Sequence, residues 1–339
     1  MSKTLSIALR ASRGVGRVIA GSPRIPSTPW HGPLAVGLTS QRTHRSGRYY
    51  HSAASGEEQH SEMGTRLQGK VIIVTGGYGL IGSATCRTCA GEGARVVAVG
   101  RDSEKAERLA AAITEGGGDA LGLSVDVSSK ADTERMAEAT LARFGSIDGL
   151  VAGAVWQEMG NALELTEEGW DRTIDVGLKG IWLCVRACLP NMLERGHGSI
   201  VAISSIQGLA AYPRRVAYGA IKGGVASLTR QLAVDWAPKG IRVNSVSPGA
   251  IVSDEGMARL DALHPGQSRL YQEVYPVGHV GAAEDVAWAM VYLLCDESRF
   301  VTGIDLAIDG GLLAQSPEAV VLPRLRSGWR PGRWELRED

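Results

Sequence analysis

The sequence predicts an α/β protein of the doubly wound type, a single parallel sheet with helices on both faces. Short Val- and Ile-rich runs alternate with segments of helical spacing, and the runs are apolar throughout, as strands covered on both sides are. The first run also ends in a glycine-rich turn that opens a helix. Parallel strands joined this way require right-handed crossovers, and their ligand site belongs at the carboxyl ends of the strands.

Taken in order, residues 1–66 differ from the rest. They are rich in Ser, Arg, Gly and Pro, and the first acidic residue is Glu57. Lys3, Arg10, Arg13 and Arg17 interleave with Leu5, Ile7, Leu9, Val15 and Val18 ahead of Pro23 and Pro26, the pattern of a mitochondrial transit peptide. This extension is expected to be largely disordered and to direct the protein to the matrix. The alternative is a start at Met63, just before the first strand, and a cytoplasmic protein. Strands are expected at residues 71–74, 95–99, 121–125, 149–152, 199–203, 242–246 and 306–308. Helical spacing marks 104–113, 133–144, 167–187 and 218–236. A single folded domain over 67–312, the expected catalytic domain once the motifs below are counted, carries this pattern. The tail, 313–339, with Pro317, Pro323 and Pro331, reads as loosely ordered.

Composition narrows the function. Of 339 residues 44% are hydrophobic, enough for a full-sized core, and 36 Lys and Arg balance 36 Asp and Glu. A net charge of +0 provides no general attraction to nucleic acid or anionic membrane, and every apolar run is interrupted before bilayer length. Five cysteines without zinc spacing fit a reducing compartment. Cys86 and Cys89 form a C-x-x-C, but at i, i+3 on a helix they read as packing residues rather than a redox pair.

The turn after the first strand is Thr75-Gly76-Gly77-Tyr78-Gly79-Leu80-Ile81-Gly82. Glycines there let the backbone approach a pyrophosphate, and the following helix presents free N–H groups and a positive dipole end. The second strand ends Val99-Gly100-Arg101-Asp102, with glycine where an NAD site places a carboxylate and Arg101 next to it. A guanidinium suits a 2′-phosphate, so NADP(H) is favoured; NAD(H) stays open if Asp102 serves the ribose. After the third strand, Asp126-Val127 offers a carboxylate and an N–H to the adenine edge.

Tyr218 and Lys222 stand at i, i+4 on one helix face. A free phenol, with a pKa of ~10, is a poor acid/base at neutral pH, and a nearby ammonium favours the phenolate. Ser205, ending a buried strand at the same sheet edge, offers a hydroxyl to a substrate oxygen.

Together TGGYGLIG, Asp126-Val127, Ser204-Ser205, YGAIK, Asn244-Ser245-Val246-Ser247-Pro248-Gly249 and VTGIDLAIDGG resemble the short-chain dehydrogenase/reductase family over residues 67–311. The resemblance implies one Rossmann domain, catalysis by Ser205, Tyr218 and Lys222, and Lys222 on the nicotinamide ribose. It also implies cofactor contacts from Gly76, Tyr78, Leu80, Ile81, Gly82 and Ala152, and a nicotinamide segment of Pro248, Gly249, Ile251 and Ser253. Substrate contacts are expected over residues 253–278, and members of the family are commonly homodimers or homotetramers.

Three departures stand out. Leu80 replaces the middle glycine of the family's motif, Ala152-Gly153-Ala154-Val155 replaces its N-N-A-G, and Gly177 replaces the asparagine of its catalytic tetrad. The leading expectation is an NAD(P)-dependent oxidoreductase acting on a small carbonyl or alcohol, with no metal. A cofactor-binding scaffold with little activity is the alternative suggested by Gly177, and an epimerase or dehydratase the one suggested by the glycine motif. Trp156, Gln157 and an amphipathic lid over 256–275 are expected near the substrate.

Overall fold

The structure, a computed structural model, describes residues 65–318. The expected leader and tail lie outside these residues, except for Thr65, Arg66 and a short stretch to Glu318. The elements run β1 (Val71–Thr75), α1 (Leu80–Gly91), β2 (Arg95–Gly100), α2 (Ser103–Glu115), β3 (Asp119–Ser124), α3 (Lys130–Phe144), β4 (Gly149–Ala152), α4 (Glu167–Ile174), α5 (Gly180–Arg195) and β5 (Gly198–Ile203). After them come α6 (Val216–Trp236), β6 (Ile241–Pro248), α7 (Asp254–Leu263), α8 (Gln267–Val274), α9 (Ala283–Leu294) and β7 (Asp305–Ile308). A π-helical turn, Asp175–Lys179, joins α4 to α5.

All seven strands are parallel, in the order β3-β2-β1-β4-β5-β6-β7. The strand order reverses between β1 and β4, which opens a crevice above their carboxyl ends. Alternation along the strands sends Val71, Ile73, Val97, Leu150 and Ile200 to a face covered by α3, α5 and α6, where Met136, Cys184, Cys188 and Val225 meet them. Ile72, Val74, Val96, Val151 and Val201 face the other way, onto Cys86, Cys89, Leu109, Met290 and Leu293 of α1, α2 and α9. Each fully buried aliphatic side chain contributes roughly 1.5–3 kcal/mol. All five cysteines are free and buried, and burial pushes the Cys89 and Cys184 thiols up to about 12, so they are packing groups.

The stretch Glu167–Arg195 is long and apolar enough by composition to cross a membrane. Ile181, Leu183, Cys184, Val185, Cys188 and Met192 are instead buried in the body of the protein.

Between β6 and α9 the chain makes an excursion through α7 and α8. It leaves and rejoins the body at one bridge, Ile251 with Gly281, closed by Gly281 N donating to Ala250 O at 3.0 Å and Val252 N donating to Gly281 O at 3.2 Å. Buried Tyr275, just after α8, accepts from Ala250 N through its Oη at 2.7 Å.

Candidate active site

Thr75 ends β1, and Gly76 follows with φ +70°, a left-handed conformation that glycine adopts without strain. A Cβ on Gly76 would lie 3.0 Å from the Gly153 carbonyl, and one on Gly82 would collide with the Gly76 carbonyl oxygen, so the loop and the helix start are packed backbone on backbone. Helices α2, α3, α4 and α7 are capped by the side chains of Asp102, Ser129, Thr166 and Ser253. Helix α1 begins at Gly79 with no side-chain cap and no acidic residue in its first turn. Its first N–H groups are therefore left facing the crevice, a cradle that fits a pyrophosphate. Gly76, Leu80, Ile81 and Gly82 all line a cavity of about 310 Å³ at this point.

Strand β5 brings Ser205 to the same cavity, and α6 brings Tyr218 and Lys222. Pro248, Gly249 and Ile251, at and beyond the end of β6, complete the wall. Ser205 is 7% exposed, and its Oγ accepts from Gln207 N at 3.1 Å. Burial pushes the Tyr218 phenol above its usual pKa, while the Ser205 hydroxyl bonded to it and the Arg215 guanidinium act in the opposite direction. Lys222 Nζ donates to Ile203 O at 2.6 Å and lies 5.4 Å from the Tyr218 ring centre. Lys222 is itself pulled down from 10.5 to about 8 by burial. Ser205 and Arg215 thus favour the phenolate against burial, and Lys222 Nζ stands beside the same ring.

Lys222 is gripped from both ends. Ser204 Oγ donates to the Lys222 carbonyl at 2.9 Å, and a Cβ on Gly208 would lie 2.7 Å from the Lys222 carbonyl carbon. The tetrad position, Gly177, is buried in the π-turn, where a Cβ would overlap Ile221 Cδ1. No side chain fits there without moving the neighbour of Lys222.

The other expected cofactor residues lie outside the cavity. The Tyr78 ring fills the space over Gly100, where any Cβ would overlap it, and its Oη accepts from Asp102 N at 3.1 Å. Any side chain on the residue ending β2 would have to displace the Tyr78 ring. Asp102 is occupied as the α2 cap, accepting from Lys105 N at 3.1 Å, which weakens the case for it as a ribose ligand. Arg101 is exposed, and its guanidinium has no partner among the described residues. Asp126 accepts from Ser128 N at 2.9 Å and Ser128 Oγ at 2.7 Å, while Val127 is buried against Gly180. Ala152 is buried at the end of β4, and Ser253 caps α7 through Gly256 N at 3.1 Å.

Several site residues were not singled out from the sequence. Thr75 Oγ1 accepts from Gly153 N at 3.1 Å and Ala154 N at 3.3 Å, fixing the loop after β4 where the family's amides are missing. Its place before the glycines was the available signal. Gln207 Oε1, on the turn after Ser205, is a buried acceptor without a partner among the described residues. Trp156, expected near the substrate, does not line the cavity and stacks under Arg172, whose Cζ is 4.5 Å from the ring centre.

A family model described as enoyl-(acyl carrier protein) reductase matches residues 79–313. The chain is 39% identical over 256 residues to 2-(S)-hydroxypropyl-CoM dehydrogenase 3 of Xanthobacter autotrophicus, covering 74% of this chain and 100% of that protein. It is 37% identical over 246 residues to D-threitol dehydrogenase of Mycolicibacterium smegmatis, covering 73% and 94%. It is 38% identical over 254 residues to cis-4-hydroxycyclohexanecarboxylate dehydrogenase of Sinomonas cyclohexanicum, covering 74% and 100%. Among solved structures, levodione reductase superposes with a TM-score of 0.69 at 31% identity, over 74% of this chain and 100% of that one.

Proposed function

The chain belongs to the short-chain dehydrogenase/reductase family, and from that premise we propose that it interconverts a secondary alcohol and a ketone with Tyr218 as acid/base and Ser205 as the anchor of the reacting oxygen. The coarser statement, an NAD(P)-dependent dehydrogenase acting on alcohols, follows from its relatives. One observation carries the finer reading: Ser205, Tyr218 and Lys222 share a single cavity with the uncapped start of α1.

When bound, the nicotinamide cofactor supplies or accepts the hydride. The turn before α1 would hold its pyrophosphate, and Pro248, Gly249 and Ile251 would border the nicotinamide end. In reduction, Ser205 Oγ orients the carbonyl oxygen and Tyr218 Oη transfers its proton there. The phenolate that results is offset by Arg215 and by Lys222, which at about 8 is still protonated at neutral pH. Oxidation runs the same proton backwards, from alcohol to phenolate.

NADP(H) is the cofactor of choice in this reading, because β2 ends in Gly100 rather than in a carboxylate and Arg101 beside it has no partner among the described residues. We extend the proposal to a homodimer or homotetramer, supported by the half-exposed Trp182 and Trp288 and by Phe300, which is fully exposed. A mitochondrial location, suggested by the basic leader, is tested by imaging the full chain with a C-terminal tag.

The test is turnover of a panel of ketones with NADPH and NADH, with Tyr218→Phe as control. Turnover abolished in the variant supports the enzyme, and cofactor binding without any turnover leaves only the scaffold suggested by Gly177. Arg101→Ala weakens NADPH far more than NADH if the cofactor assignment is right, and equal losses defeat it.

A further inference from the structure

Arg215 immediately precedes α6, three residues ahead of Tyr218, and its Cζ lies 5.8 Å from the Tyr218 ring centre. The side chain is part-buried, and its one hydrogen bond in the structure is from Nη1 to the neutral Gln157 Oε1 at 2.6 Å. No carboxylate neutralises it among the described residues. Of the two carboxylates in the loop after β4, Glu164 pairs with Arg214 at 2.6 Å and Glu158 accepts from Thr166 Oγ1 at 3.3 Å.

The position is built and held. Gly160 N donates to Arg214 O at 3.0 Å, and Gly160 bridges Arg215, so the loop after β4 and the segment before α6 are stitched together. Arg214 has φ +59°, an unfavourable value for a residue with a side chain, and both its carbonyl and its guanidinium are tied down. The same loop includes Gly153 and Val155, which line the cavity with Ser205 and Tyr218. A guanidinium has five donors, and only one of these is used, at the side of the acid/base. An unpaired, partly desolvated cation with free donors finds its counter-charge in an oxyanion, which the planar fork can grip with two parallel bonds.

We propose that Arg215 is a specificity-determining residue and that the preferred alcohols and ketones carry a carboxylate or sulfonate a few bonds from the reacting carbon. The inference rests on the oxidoreductase reading and deepens it. Ser205 holds the reacting oxygen, Arg215 holds the anionic end, and Gln157 fixes one Nη of the guanidinium beside Tyr218.

Matched pairs test it with purified full-length enzyme. β-Hydroxybutyrate is compared with its methyl ester, and the sulfonate analogue of β-hydroxybutyrate with the corresponding methyl sulfone, using wild type, Arg215→Gln and Arg215→Lys. The readout is the charged-to-neutral ratio of kcat/KM, in which any change at Tyr218 cancels because it acts on both members of a pair. Wild type is expected to favour the charged member, and Arg215→Gln to lower that ratio by about tenfold to a hundredfold, the usual value of a charged hydrogen bond. Arg215→Lys should recover part of it. The carboxylate and sulfonate arms show which oxyanion fits better. A ratio unchanged in Arg215→Gln, or a wild type that prefers the neutral members, overturns the proposal while leaving the oxidoreductase reading intact.

A second arm does not need turnover. Calorimetric titration of butyrate into enzyme saturated with NADP⁺ should show binding that weakens about tenfold or more in Arg215→Gln. Arg215-dependent binding without turnover of any substrate keeps the anion site and sinks the oxidoreductase reading. Absence of butyrate binding to wild type overturns the anion site.

Discussion

Replacing Lys222 with methionine should make this protein more stable and inactive at the same time. Its ammonium is 4% exposed, and burial pulls its pKa from 10.5 to about 8. At 1.36 kcal/mol per pKa unit, keeping that charge inside disfavours the folded state by about 3 kcal/mol at neutral pH. Methionine has a similar length and carries no charge, but it leaves Ile203 O without the Nζ donor, a loss of about 1 kcal/mol. The net gain is about 1–2 kcal/mol, or a Tm rise of roughly 2–6 °C for a domain of this size.

The sign of the pH dependence follows from linkage. Below about pH 8 both folded and unfolded chains carry the proton, and wild type bears the full penalty. Between about 8 and 10.5 the folded chain releases its proton first, so wild-type stability climbs with pH and the advantage of methionine shrinks. Urea unfolding of both proteins without nucleotide, at neutral pH and near pH 9.5, measures the gap. A variant less stable than wild type at neutral pH, with the same gap at alkaline pH, would refute the reasoning. A drop in kcat of about a hundredfold or more should accompany the stabilisation, since function retains a charge that the fold alone would reject.

Other substitutions probe the rest of the site. Gly82→Ala places a methyl against the Gly76 carbonyl, and should weaken nucleotide binding at least about tenfold by calorimetry and lower stability by about 1–3 kcal/mol. Ser205→Ala removes a group that favours the Tyr218 phenolate, so the alkaline rise of the oxidation rate should move to higher pH while kcat falls by about a hundredfold or more. A limb that stays in place would show that the hydroxyl does not act on the phenol. Gly177→Ala sets a methyl against Ile221 and should lower stability by about 1–3 kcal/mol, with Ile221→Val recovering part of the loss in thermal melts.

The sheet was legible because its strands are Val- and Ile-rich and buried on both faces; β1 was expected at 71–74 and occupies Val71–Thr75. Strand β3 was expected to start two residues late and end one late, since Asp119 to Leu123 are only part-buried at the sheet edge and give a weak pattern. The single helix expected over 167–187 runs to Arg195 and contains a π-turn, which side-chain spacing does not reveal. The glycine turn, Ser205, Tyr218 and Lys222 could be read because their chemistry is local in sequence. Long-range geometry was not readable. That Tyr78 lies over Gly100, that Lys222 turns to Ile203, and that Arg215 reaches Gln157 depend on how distant segments meet. The segment 256–275, expected to form an amphipathic lid, folds as α7 and α8, and Tyr275 after it ties back to Ala250.

Those ties make the excursion a unit that could be exchanged. It is anchored at the Ile251–Gly281 bridge, by Tyr275 Oη on Ala250 N and by Val277 N on Gly310 O, and α7 with α8 hangs between these points. Replacing α7 and α8 alone would reshape this segment while leaving the anchors, Ser205, Tyr218 and Lys222 where they are. Grafting residues 254–273 from a homologue is therefore expected to transfer substrate preference as a unit.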